Sequence, residues 1–138
     1  RLAKLVAERY AATVLPRPVT IHGDLHLGQI FVDEAAPSTI TGILDIDTAG
    51  LGDPADDRGA LFGHVVVSAI ERTPATEAGA ALAAFADELQ SSWAGDVRVA
   101  AIAATHLMGH ALANAGRGDD RSSAAAQRLL ERAEALLA

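Results

Sequence analysis

The sequence predicts an α+β domain that is mostly helical, and three observations carry that reading. Short β-favouring runs are confined to the part of the chain before Asp53. Long helical stretches separated by Gly and Pro breaks fill the remainder. Two polar, glycine-containing loops sit among the short strands and gather the carboxylates. A length of 138 residues is one domain's worth, so residues 1–138 are read as a single unit with one core.

Arg1 to Val14 places Leu2, Leu5, Val6 and Tyr10 at helical spacing, and Pro16 and Pro18 stop that helix. Val19 to Ile21 is a short extended run that leads into the turn His22-Gly23-Asp24-Leu25-His26. Gln29 to Val32 is expected to be a second strand, Asp33 to Thr41 a hairpin-like connection, and Thr41 to Ile46 a third strand. Asp47 to Asp53, with Gly50 and Gly52, is expected to be a loop. Asp53 followed by Pro54 reads as an N-cap and first helical residue. Helices are then expected near 54–71, 74–93, 96–115 and 119–137, with breaks at Thr73-Pro74, Ala94-Gly95 and Gly116-Arg117-Gly118.

Composition removes several function classes. A formal charge of -7 with no Lys/Arg run argues against nucleic acid or an anionic membrane as partner. That acidity is compatible with a cationic small-molecule substrate. The absence of cysteine excludes disulfides and thiolate chemistry and fits a cytoplasmic location. No apolar run approaches the roughly 20 residues that span a bilayer, and Arg1 to Tyr10 is charged and amphipathic, unlike a signal peptide.

The chemistry concentrates in Ile21 to Gln29 and Ile43 to Pro54. Two acidic loops joined by a short hairpin bring carboxylates together around a cation. Phosphoryl transfer to a hydroxyl needs a carboxylate to orient or deprotonate that hydroxyl and two oxygen-donor positions for magnesium. Asp24, the Gln29 amide five residues later, and Asp45 after the hairpin supply them in that order.

These two segments resemble the aminoglycoside phosphotransferase and choline kinase family, whose fold is kinase-like. The family writes them as His-Gly-Asp-x-His-x-x-Asn and Ile-Asp-x-x-x-Ala-Gly-x-Gly-Asp-Pro-x-x-Asp. His22, Gly23, Asp24 and His26 match the first, and Asp45, Ala49, Gly50, Gly52, Asp53, Pro54 and Asp57 match the second. The resemblance covers about Val19 to Gly63 and implies the C-terminal lobe of an enzyme that uses ATP and Mg2+ to phosphorylate a small-molecule hydroxyl: an aminoglycoside, amino alcohol or sugar. It implies Asp24 as the catalytic carboxylate and Asp45 as the magnesium ligand at the nucleotide phosphates. Gln29 stands where the family usually has Asn and would be a second metal ligand; maltokinase-like relatives carry His-Gly-Asp-x-His-Leu-Gly-Gln at this place. His26 is left between bracing the loop and touching phosphate, and His22 is expected to bond backbone around the turn.

Asp47 lies two residues beyond Asp45, and an extended segment would put both on one face, making Asp47 a further carboxylate near the metal. Asp57 is expected to point back and hold the amides of the catalytic loop. His106 and His110 are read as a half-buried structural pair on one helix face, His64 as a core histidine and Trp93 as packing.

Two competing readings have their own sequence basis. Asp24-Leu25-His26 and Gly52-Asp53-Pro54-Ala55-Asp56-Asp57-Arg58 resemble metallophosphoesterase fragments, although the Gly-Asn-His turn of that fold is missing. Alternatively the module binds without catalysing, because no glycine-rich loop is present and the chain's one Lys, Lys4, lies on the opening helix. With Arg in place of Met at position 1, the expectation is a piece of a longer chain whose N-terminal lobe grips ATP, the isolated piece being inactive.

Overall fold

A computed structural model describes residues 1–72 and 76–138. Helix α1 (Leu2–Ala11) ends earlier than its apolar spacing implies, and the Thr13 hydroxyl donates to the Tyr10 carbonyl (2.8 Å) just past its end. Strand β1 (Val19–Ile21) follows as expected. Strands β2 (Ile30–Val32) and β3 (Ile40–Ile43) pair antiparallel, with Ile30 opposite Ile43 and an irregularity between Phe31 and Val32.

Three expectations for this part are corrected. Gln29 does not open a strand; it closes a 3-10 turn, Leu27–Gln29. The third strand stops at Ile43, because Asp45 adopts a left-handed backbone (φ 60) that no strand can continue through. The segment expected to be a loop holds a 3-10 turn, Ile46–Thr48, and strand β4 (Gly50–Gly52). Strand β4 pairs antiparallel with β1, Ile21 opposite Gly50 and Val19 opposite Gly52. A ladder between segments so far apart in sequence is invisible to local propensity, which reads Gly-x-Gly as a break.

Helices α2 (Pro54–Glu71), α3 (Glu77–Ser92), α4 (Val97–Ala115) and α5 (Asp120–Leu136) make up the rest. Each begins at a side-chain cap: Asp53 accepts from Ala55 N, Thr76 from Gly79 N, Asp96 from Arg98 N and Val99 N, and Asp119 from Ser122 N. The Thr73-Pro74 break lies outside the described residues. Gly95 and Gly118 have positive φ at the other two breaks.

Helix α4 is the centre of the core. It packs against α1, α2 and α5 and carries no Asp or Glu, as a helix wrapped on several sides should. Its buried face is built of small and medium side chains: Val99, Ala101, Ala103, Ala104, Leu107 and Ala111. Gly59 and Gly63 of α2 admit it at close range. A Cβ at Gly59 would lie 2.6 Å from Ile102, and one at Gly63 would lie 2.8 Å from the His106 Cβ. The low aromatic content, 4%, is matched by tight helix contacts. No described helix is long and apolar enough to cross a membrane.

Arg98 fastens three elements together inside this core. Its Nε and Nη2 reach the Asp53 carboxylate, Nη1 donates to the Thr13 hydroxyl (2.7 Å), and the guanidinium lies 4.0 Å from the centre of the Tyr10 ring. Asp53 is therefore more than the N-cap that its place before Pro54 suggested: one oxygen caps α2 and the other receives Arg98.

Removing one partner of such a buried pair leaves an uncompensated charge. Arg98→Met should lower unfolding stability in urea by about 3–5 kcal/mol. Lys4→Ala, which breaks the exposed Lys4–Glu8 pair, should leave the urea midpoint unchanged within error.

Candidate active site

The turn that carries Asp24 is held from below by the first turns of α2. The Asp57 carboxylate accepts from His22 N (2.7 Å) and Gly23 N (2.8 Å). The His22 ring is buried, with Nε2 2.7 Å from the Leu44 carbonyl and Nδ1 accepting from Asp24 N (3.4 Å). That pattern sets the ring proton on Nε2. Thr48 donates its hydroxyl to the His22 carbonyl (2.9 Å). Gly23 has φ 93, and a Cβ there would meet the Thr48 carbonyl oxygen at 2.7 Å, so the turn needs glycine on both counts. The bracing roles expected of His22 and Asp57 are present in the geometry. Asp24 emerges from the turn exposed, its carboxylate making no hydrogen bond or ion pair among the described residues.

A second set of bonds ties this turn to the loop after β3. The Gln29 side chain is buried, its Oε1 accepts from His26 N (3.0 Å), and the His26 Nδ1 accepts from Gly28 N (3.1 Å). The Gln29 Nε2 donates to Asp45 Oδ2 at 3.4 Å, and Leu44 N donates to the Gln29 carbonyl (2.9 Å). Gln29 is thus the bridge between the Asp24 turn and Asp45. Asp45 itself is exposed.

Asp47 does not share a face with Asp45 in the way an extended segment would require. The backbone turns left-handed at Asp45 and enters the 3-10 turn in which Asp47 sits. Among the described residues, Asp47 has no hydrogen bond to Asp45 or Gln29.

Four histidines gather beside Asp24. The His64 ring on α2 lies 5.3 Å from His26, 4.9 Å from His106 and 5.4 Å from His110, measured between ring centres. Burial pushes the His64 pKa down to about 4, the mutual repulsion of His106, His110 and His26 adds to this, and Asp24 opposes it. Burial likewise lowers His106, with Asp24 pulling the other way and His110 adding to the fall. His106 and His110 are half-buried, as expected; His64, expected in the core, is half-buried as well and meets both. The sequence signal for the cluster was only the His-x-x-x-His spacing; nothing local pairs it with His64 or with the loop. Trp93 does pack, edge-on to Phe62 at 6.4 Å between centres.

The metallophosphoesterase reading finds no support here. Asp53 and Asp57 are committed to Arg98, the α2 cap and the turn, and the His26 Nδ1 is taken by a backbone amide. Among the described residues no group of three or more His, Asp or Glu side chains is arranged to hold a metal ion.

The family model described as "Phosphotransferase enzyme family" (APH) matches residues 1–94. The chain belongs to the phosphotransferase enzyme family. The matched span runs from α1 to the end of α3 and takes in both loops, reaching beyond the Val19 to Gly63 stretch on either side. Helices α4 and α5, and with them His106 and His110, lie outside the match. No curated protein and no solved structure matches the chain.

Two expected outcomes follow from this geometry. Asp57→Ala strips a charge-assisted acceptor from two backbone amides, each such bond being worth about 1.5–3 kcal/mol, and should lower the urea midpoint clearly. His64 has a folded pKa below its ordinary 6.5, so between about pH 6.5 and 4 the unfolded chain binds more protons. Stability should therefore fall as pH drops through that window, and His64→Gln should flatten the dependence when urea midpoints are compared across it.

Proposed function

We propose that the chain carries the catalytic half of an ATP- and magnesium-dependent phosphotransferase that phosphorylates a hydroxyl of a small molecule. The observation that carries this reading is the exposed Asp24 carboxylate on a rigidly braced turn, linked through Gln29 to a second exposed carboxylate, Asp45. In this reading Asp24 orients the acceptor hydroxyl and takes its proton as the hydroxyl oxygen bonds to the transferred phosphorus and the bond to the departing ADP breaks.

The residues fit a magnesium site of the sparse kind. Mg2+ is usually bound through one or two carboxylates together with substrate phosphates and water, where it neutralises charge in transfer. Asp45 would be the principal protein ligand. The Gln29 Oε1 already accepts a backbone amide, so Gln29 would serve chiefly by holding Asp45 through Nε2 and only secondarily as a ligand. Asp47, on the 3-10 turn that follows, would be a further carboxylate near the metal. Because the His26 Nδ1 accepts the Gly28 amide, its ring proton is on Nε2, where it is available to a phosphate oxygen.

The β layer supports a covering lobe. Phe31, Val32, Ile40, Ile43, Ile46 and Leu51, on the strands and the turn beside them, are all exposed. A nucleotide-binding N-terminal lobe seated on this layer would supply the phosphate-gripping Lys, since Lys4 is exposed on α1 and paired with Glu8. On this reading the 138 residues alone give no appreciable turnover.

The decisive test is Asp24→Asn in a chain that carries the nucleotide lobe. It should lower kcat by about 10²-fold or more with the KM for ATP little changed. Steady-state kinetics beside a thermal melt separate catalysis from bracing: a variant that melts early yet keeps near-normal kcat would overturn the assignment.

A further inference from the structure

The phosphoryl-transfer reading leaves the histidine cluster unused. His64 comes from α2, His106 and His110 from one face of α4, and His26 from the catalytic loop. Gly63 lets the α4 backbone come close enough for His64 and His106 to meet. The rings of His64, His106 and His110 are half-buried, and among the described residues none of their nitrogens has a hydrogen-bond partner. Partly buried polar groups without protein partners favour a ligand that can satisfy them. His64 lies in ring contact with His26, His106 and His110, and the Asp24 charge acts on both His64 and His106.

The chemistry of that wall selects among acceptors. Helix α4 contributes no carboxylate that could receive an ammonium group. The one charge that acts on His64 and His106 is the Asp24 carboxylate, which disfavours an anionic acceptor. The rings do not form a metal-ligand set, and burial and mutual repulsion keep His64 and His106 neutral near pH 7. A neutral imidazole offers one donor and one acceptor, the same pair that a hydroxyl offers in return.

We propose that His64, His106 and His110 form the acceptor-binding wall opposite Asp24, and that the acceptor is an uncharged, hydroxyl-rich molecule of the sugar or polyol class and not an amine. This rests on the phosphotransferase reading for the role of Asp24.

The test reads binding directly and needs no ATP. Long-range 1H–15N spectra of the histidine rings would be recorded for the 138-residue chain with glucose, maltose and myo-inositol, and separately with choline, ethanolamine and kanamycin. At least one neutral polyol should shift the His64, His106 and His110 signals saturably, with the amines leaving them in place. His106→Gln and His110→Gln should each weaken that polyol by about tenfold with unchanged thermal melts. Ring signals indifferent to every polyol, meaning that only water occupies the wall, or shifted by the amines alone, would overturn the inference. Intact polyol binding without Asp24-dependent transfer in a chain that carries the nucleotide lobe would count instead against the phosphotransferase reading.

Discussion

Two hydrogen bonds from one carboxylate hold the site together. Asp57 accepts the amides of both His22 and Gly23, and in doing so fixes where Asp24 leaves the backbone. A carboxylate has two oxygens and no donors, so it fits two parallel amides in a way no neutral side chain does. The amides it takes belong to a turn that has no strand or helix partner of its own. The consequence is that the position of the candidate catalytic group is set by a helix, not by the loop that carries it. Helix α2 is therefore the platform of the site as well as a wall of the core.

The platform is itself anchored one turn earlier. Asp53 starts the helix and receives Arg98 from α4, so the N-terminus of α2 is tied to the central helix at the point nearest the site. Gly59 and Gly63 then let α2 and α4 run in close contact. A close interhelical approach has a chemical product as well as an energetic one: it carries His106 and His110 to His64 and sets all three beside the catalytic loop. Bulkier residues at those glycines would separate the helices and disperse the histidines.

Gln29 illustrates how a single change of side-chain length is absorbed locally. The amide spans from the His26 backbone to Asp45, using its oxygen for the amide and its NH2 for the carboxylate. The two loops that form the candidate site are joined through this one buried side chain. Asp47 has no such link, because the left-handed residue at Asp45 redirects the chain before it.

By itself the sequence determined the class of the fold, the bounds of α2, the cap at Asp53, the breaks before α4 and α5, and the two loops of the candidate site. Those features depend on side-chain chemistry acting within a few residues: cap oxygens on nearby amides, a proline that can only open a helix, glycines at breaks. The bracing parts of His22 and Asp57 were also legible, since the resemblance of the two loop segments to the phosphotransferase family implies them. Tertiary structure alone decided that Gly50–Gly52 is a strand, because its partner is β1, and that Asp53 pairs with Arg98, 45 residues away. It alone decided that Asp45 and Asp47 diverge, through a backbone conformation that nothing in Ile-Asp-Ile-Asp announces. It alone brought four histidines from three elements to Asp24, because that meeting depends on how closely two helices pack, and packing distance is a property of facing surfaces that no local stretch of sequence contains.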